Sequence, residues 1–102
     1  LGGKKSLFLR LLGMFTDNHS ADVDRLLAAA GQKDNKAMFE INHALKGVTA
    51  NLAADELCHL CADLDGKLKN EDPNIEAEIA AMPVAMETLL SSIQLASQFS
   101  SD

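Results

Sequence analysis

The sequence predicts an all-α fold, an antiparallel four-helix bundle, and three observations point to it. The first is composition: 47% of the 102 residues are hydrophobic, alanine and leucine are prominent, and Trp and Tyr are absent. Alanine and leucine are strong helix formers, whereas the β-branched and aromatic residues that favour strands are few. The second is period. Apolar residues recur at the 3.6-residue spacing of a helix, and no stretch alternates with the period of a strand. The third is punctuation: short runs rich in Gly, Asp, Asn and Pro separate the periodic segments, as connections in a bundle require. A chain of this length forms one domain with one core, so residues 1–102 are taken as a single unit.

The first pattern is "KKSLFLRLLGMF", with Leu7, Phe8, Leu11, Leu12 and Phe15 on one face. A second, "SADVDRLLAAAG", carries Val23, Leu26, Leu27 and Ala30 in the same phase. The shared phase is compatible with one long helix from about Lys4 to Ala30. A break, if there is one, belongs in "TDNHS", where Asp17 and Ser20 can act as N-caps. "GQKDN" supplies a terminating glycine and fresh caps, and a helix over about Lys36–Ala50 follows, with Met38, Ile41, Leu45, Val48 and, just beyond, Leu52 in its apolar stripe. "ADELCHLCADLDGKLK" is the next helix, with Leu57, Leu60, Cys61, Leu64 and Leu68 inward. In "NEDPN", Asp72 is expected to cap and Pro73 to take the first helical position, where its missing N–H costs nothing. The last helix buries Ile75, Ile79, Met82, Met86, Leu89, Leu90 and Ile93, with a kink or break expected at Pro83 and a fraying tail "SQFSSD".

Charge narrows the function classes. The formal net charge is −6, and beyond Lys4-Lys5 no basic cluster occurs, so nucleic acid is not an expected partner. No run approaches the ~18 apolar residues of a membrane span, so no direct membrane contact is expected and the isolated domain should be a soluble monomer. The chain opens on "LGGKKSLF" without Met, which reads as a segment of a longer protein. Cys58 and Cys61 in "CHLC" flank the apolar side of their helix. They are taken as core or near-core thiols, since a zinc site would need two more ligands and the chain has three histidines in all. No metal site is expected.

One helix face carries chemistry. In "INHALKGVTANL", His43 falls nearly opposite the apolar stripe, with Lys46 and Gly47 three and four residues on, hence on the same outer face. An imidazole, whose reference pKa is about 6.5, is a competent nucleophile near neutral pH. Were it to accept a phosphoryl group, nearly two negative charges would appear there, and an ammonium one turn away would offset them. Gly47 costs a helix about 1 kcal/mol relative to Ala, so its presence beside the histidine fits a face that another backbone must approach closely. Phe39, one turn before His43, adds an apolar residue to that face. His19 and His59 have no such company and are taken as incidental.

His43-Ala44-Leu45-Lys46-Gly47 resembles the H-x-L-K-G signature of histidine-containing phosphotransfer (HPt) domains of bacterial phosphorelays. The similarity extends upstream through "LGGKKSLFLRLLGMF" and downstream through "VTANLAADELCHLCADLD", which ends in the family's Leu-acid pair. Ala50 and Ala53 depart from it, standing where the family often has glycine, and the short helix that commonly precedes the "LGG" region is missing. The resemblance implies a carrier that takes a phosphoryl group on His43 Nε2 from a receiver-domain aspartate and hands it to a response-regulator aspartate. Lys46 would support the phosphate charge and Gly47 provide partner clearance, with Phe39, Glu40 and Ala50 as docking residues. It implies no nucleotide and no cofactor in this chain, Mg²⁺ being expected in the partner receiver. It also implies no kinase activity of its own, and a place as the C-terminal domain of a hybrid sensor histidine kinase, cytoplasmic or on the cytoplasmic side of an inner-membrane kinase. The rival expectations are a non-catalytic bundle that docks a receiver and, more distantly, a metal-binding bundle using Cys58, Cys61 and a histidine.

Overall fold

The amphipathic segments all become helices in the computed structural model, which describes residues 2–52 and 54–99 and, for 2–6, 97 and 99, the backbone alone. In chain order they are α1 (Gly2–His19), α2 (Asp22–Gly31), α3 (Asn35–Asn51), α4 (Asp55–Lys69) and α5 (Glu76–Phe99), with no strand among the described residues. α3 packs most extensively on α4, with α2 on its other flank, and α5 closes the bundle against α4, α2 and α1. The α1–α2 pair therefore shares the fourth corner of a four-helix bundle, drawn out to 48 × 18 × 18 Å. The expected departure of Ala53 falls outside the described residues, as do Leu1 and the end of the tail, 100–102.

Helix ends follow local chemistry. The long-helix possibility gives way to a break at Ser20 and Ala21, at the end of "TDNHS". Neither Asp17 nor Ser20 caps α2: Ala21 holds the N-cap position without a side-chain bond. Asp34 does cap α3, its Oδ1 accepting from the Ala37 N–H at 3.1 Å. α2 and α4 end alike, with Lys33 (φ 57°) and Glu71 (φ 56°) in the left-handed conformation. The N–H groups of Lys33 and Asp34 return to the Ala30 and Ala29 carbonyls, and those of Glu71 and Asp72 to Leu68 and Lys67, satisfying carbonyls that α2 and α4 would otherwise leave open. Gly31, expected as the terminating glycine, is instead the last residue of α2. Pro73 does not start α5: Asp72 Oδ1 accepts from the Asn74 N–H at 2.9 Å, which holds the turn, and α5 begins at Glu76. α5 then runs through Pro83 without the expected break, its flanks anchored by the buried Met82, Ala85 and Met86.

Leu12, Phe15, Leu26, Met38, Leu45, Leu57, Cys61, Leu64, Met82 and Ile93 form the core. The expected inward face of α1 is corrected: only Leu12 and Phe15 are buried, while Leu7, Phe8, Leu11 and Met14 remain exposed. The core also takes polar residues that an apolar stripe does not announce. Asn42 and Thr49 are fully buried, and Asp65 is 3% exposed. The Thr49 hydroxyl donates back to the Leu45 carbonyl at 2.8 Å. Asn42 Nδ2 donates across to the Cys61 carbonyl at 2.8 Å, joining α3 to α4. A further correction concerns α5. Its stretch Glu76–Ala96, 21 residues of mean hydropathy 1.4, is long and apolar enough to cross a membrane by length and composition. Here it serves as a bundle helix, and its buried Glu78 pairs with Lys67 at 2.9 Å.

Candidate functional site

α3 turns Phe39, Glu40, His43, Lys46, Gly47 and Ala50 away from the Leu45 stripe. Glu40, His43, Gly47 and Ala50 are exposed, while Phe39 and Lys46 are half-buried. The Phe39 ring stacks on the His43 imidazole, with centroids 5.6 Å apart and planes 20° from parallel. That contact restricts the imidazole's rotation and explains why an apolar residue stands there. A Cβ added at Gly47 would meet no atom within 4 Å, so the chain's own packing does not require glycine at this position.

What fixes the imidazole in the other direction comes from α4. The Asn42–Cys61 bond holds the two helices in register, and one turn beyond Cys61 lies Asp65. Its carboxylate is buried, with the side chain 4% exposed, and it faces α3. Asp65 Oδ1 is 3.4 Å from His43 Nδ1, and Asp65 Oδ2 accepts from Lys46 Nζ at 3.1 Å and Lys69 Nζ at 3.1 Å. Burial pushes the Asp65 carboxyl up, but the donors Lys69, Lys46 and His43 outweigh it and hold the group below the ordinary carboxylate range. An ionised carboxylate only accepts, so the nitrogen turned towards it must carry the proton. In a neutral imidazole, Nδ1–H leaves the lone pair on Nε2. The His43 side chain is 58% exposed, which opens that atom to an approaching reactant. The site is thus an exposed imidazole whose Nδ1 side faces a buried carboxylate that also holds two ammonium groups. A cleft of about 370 Å³ lies between the α2–α3 and α4–α5 connections, lined by Lys33, Met38, Leu68, Glu71 and Ile75, and takes none of these residues.

Asp65 and Lys69 are the site residues that sequence reasoning missed. The available signal was Asp65's register: it lies four residues after Cys61 and eight after Leu57, on the apolar stripe of α4. A carboxylate at a core position needs donors from a neighbouring helix.

The remaining histidines differ from each other. His59 is exposed. His19, read as incidental, is held: its Nδ1 lies 2.7 Å from Asp22 Oδ2, Arg25 Nη1 lies 3.3 Å from Asp22 Oδ1, and the Phe15 ring stacks on it at 5.5 Å. The two cysteines are free thiols. Burial above all, then the neighbouring Cys58, pushes the Cys61 thiol up to about 12, so it stays protonated near neutral pH and is a poor metal ligand or nucleophile. Among the described residues no group of three or more His, Cys, Asp or Glu side chains is placed to hold a metal ion.

A family model described as "Hpt domain" covers residues 10–97. No curated protein and no solved structure matches the chain.

Proposed function

From the premise that this chain belongs to the Hpt domain family, whose members are phosphotransfer carriers in phosphorelays and interact with receiver domains, we propose that His43 is its phosphoacceptor. The observation that supports this most directly is the orientation of the imidazole. Nδ1 faces the buried Asp65 carboxylate, the ring stacks on Phe39, and 58% of the side chain is exposed. In the forward step the Nε2 lone pair attacks the phosphorus of a receiver's aspartyl phosphate. A P–N bond forms, the P–O bond to the aspartate breaks, and the carboxylate leaves. The return step reverses these events on the aspartate of a second receiver. The Nδ1 proton stays on Asp65's side throughout, and the positive charge that develops on the ring is stabilised by that carboxylate.

Each neighbour then has a task. Lys46 offsets charge on the phosphoryl oxygens, and Gly47 leaves room for the receiver's backbone. Phe39 fixes the ring, and Glu40 and Ala50 lie on the surface the receiver covers. Transfer of this kind rests on positioning and charge neutralisation, with Mg²⁺ belonging to the receiver and no cofactor to this chain. The wider setting we propose is the cytoplasmic C-terminal part of a hybrid sensor histidine kinase, carried as a domain without kinase activity of its own. Incubation with a panel of phosphorylated receivers tests the reading. Label should appear on the wild-type chain, acid-labile and alkali-stable, and map to His43. A chain that binds phosphorylated receivers without taking label would instead be a docking bundle.

A further inference from the structure

Two ammonium groups converge on one carboxylate oxygen. Lys46 Nζ and Lys69 Nζ each lie 3.1 Å from Asp65 Oδ2. A single carboxylate balances one of them, so the trio carries a formal charge of +1 beside His43 in a chain whose net charge is −6. The two lysines are not equivalent. Lys46 projects from the histidine's own helix, and its side chain is 31% exposed. Lys69 is the last residue of α4, and its side chain is 57% exposed. It is therefore the less confined of the two, and its ammonium and the imidazole meet the two oxygens of one carboxylate, at 3.1 Å and 3.4 Å.

We propose that Lys69 is a second phosphate-directed cation of the site, stored on Asp65 while His43 is free and turned to the phosphoryl oxygens once His43 is phosphorylated. The inference rests on His43 as the acceptor. While His43 is free, the trio keeps its excess of one positive charge. A phosphoryl group brings nearly two negative charges, and one mobile ammonium moving from Oδ2 towards that group adds its charge to that of Lys46, while the Nδ1–H of the ring still faces Asp65. No bond is made or broken in this exchange beyond the ion pair itself.

A chemical donor tests it without any receiver. Phosphoramidate transfers its phosphoryl group to an accessible imidazole: the P–Nε2 bond forms, the donor's P–N bond breaks and ammonia leaves. Wild type, Lys69→Met, Lys69→Arg and His43→Gln are treated in parallel, and the ³¹P resonance of the protein-bound group is titrated. Lys69 is a surface residue, so Met, which retains most of the aliphatic stem, should preserve the fold. Loss of a nearby ammonium makes the phosphoryl group harder to ionise. Lys69→Met should therefore raise the ³¹P titration midpoint by about half a pH unit, and Lys69→Arg should keep the wild-type value. With a phosphorylated receiver, the Met variant should transfer about 2- to 5-fold more slowly at equal receiver affinity. A purely structural lysine would leave the ³¹P midpoint unmoved, and identical midpoints for wild type and Lys69→Met overturn the inference. Label on His43→Gln equal to wild type would instead sink the assignment of His43, a separate and recognisable failure.

Discussion

His43 and His19 are built from the same parts. Each follows a phenylalanine by one helical turn and stacks on it, at 5.6 Å and 5.5 Å respectively. Each turns Nδ1 to an aspartate that a cation also holds. The difference lies in where the aspartate comes from. Asp22 is three residues from His19, across the α1–α2 break, and a local turn suffices to bring them together. Asp65 is 22 residues from His43 and on another helix. The first arrangement needs little of the fold, whereas the second exists only when α3 and α4 are packed in register. Exposure differs in parallel, 26% for the His19 side chain against 58% for His43. A histidine-carboxylate pair alone is thus no signature of a reactive site. The proposed function assigns reactivity to the pair whose imidazole is open to solvent and whose carboxylate holds one cation more than it balances.

The largest effect that separates the two is chemical. His43→Gln should abolish acid-labile labelling by a phosphorylated receiver, and His19→Gln should leave labelling at the wild-type level. Because both side chains lie off the core, each protein should stay folded. Label retained by the first variant and lost by the second would reverse the comparison.

Next in size is Gly47, one turn from His43 and absent from His19's surroundings. Its helical setting and the empty space around an added Cβ predict that Gly47→Ala stabilises the bundle by up to about 1 kcal/mol. Gly47→Leu should fold as well as wild type or better, yet transfer should drop strongly, with Ala intermediate. A denaturation midpoint and a transfer rate on each variant decide it. Normal transfer by the Leu variant would leave the glycine without a functional role.

Asp65→Asn comes third. The wild-type carboxyl is held below its ordinary range, so its contribution to stability is complete above the unfolded-state value of about 3.9 and fades as pH falls through the folded-state value. At pH 6 the amide should cost about 1–3 kcal/mol, and the gap to wild type should narrow steadily below pH 4. A gap constant from pH 6 to pH 2 would mean that the charge contributes nothing.

The smallest effect concerns His19's partner. Asp22 begins α2, where the helix dipole favours an acid, and His19 ends α1, where it favours a base. Asp22→Ala should lower stability by about 1 kcal/mol at pH 6 without changing transfer, as thermal denaturation and a labelling assay would register together. Slower transfer in this variant would draw the two histidines into one site.

The comparison also marks what a sequence can disclose. His43, Lys46 and Gly47 share a face through spacing on a single helix, and a single helix is legible from its period. The bounds of α3 and α4 follow from the same signal to within a residue. Asp65 was not legible as a site residue, because His43 and Lys46 reach it from α3 and only packing reveals which face of α3 meets it, although Lys69 lies four residues on along its own helix. Leu7, Phe8 and Leu11 failed for a related reason. The period of α1 shows which side is apolar but not whether a neighbour reaches that side, which is covered at Leu12 and Phe15 and open at Leu7, Phe8 and Leu11. At Pro83 the helix continues without a break, since packing of the flanking Met82 and Met86 outweighs one missing backbone bond.

The Asn42 amide has a consequence for which bundles this chain can form at all. Helices rich in alanine and leucine pack almost equally well when one slides a turn past the other, and such cores tend towards several near-equal arrangements. Asn42 Nδ2 finds the Cys61 carbonyl in one alignment of α3 on α4, and Oδ1 is buried without a partner even there. In a slipped alignment the whole amide would enter an apolar interior with nothing to bond, at a cost of several kcal/mol. The residue immediately before His43 thus rejects the competing topologies, in the way a single buried asparagine selects one register in a coiled coil.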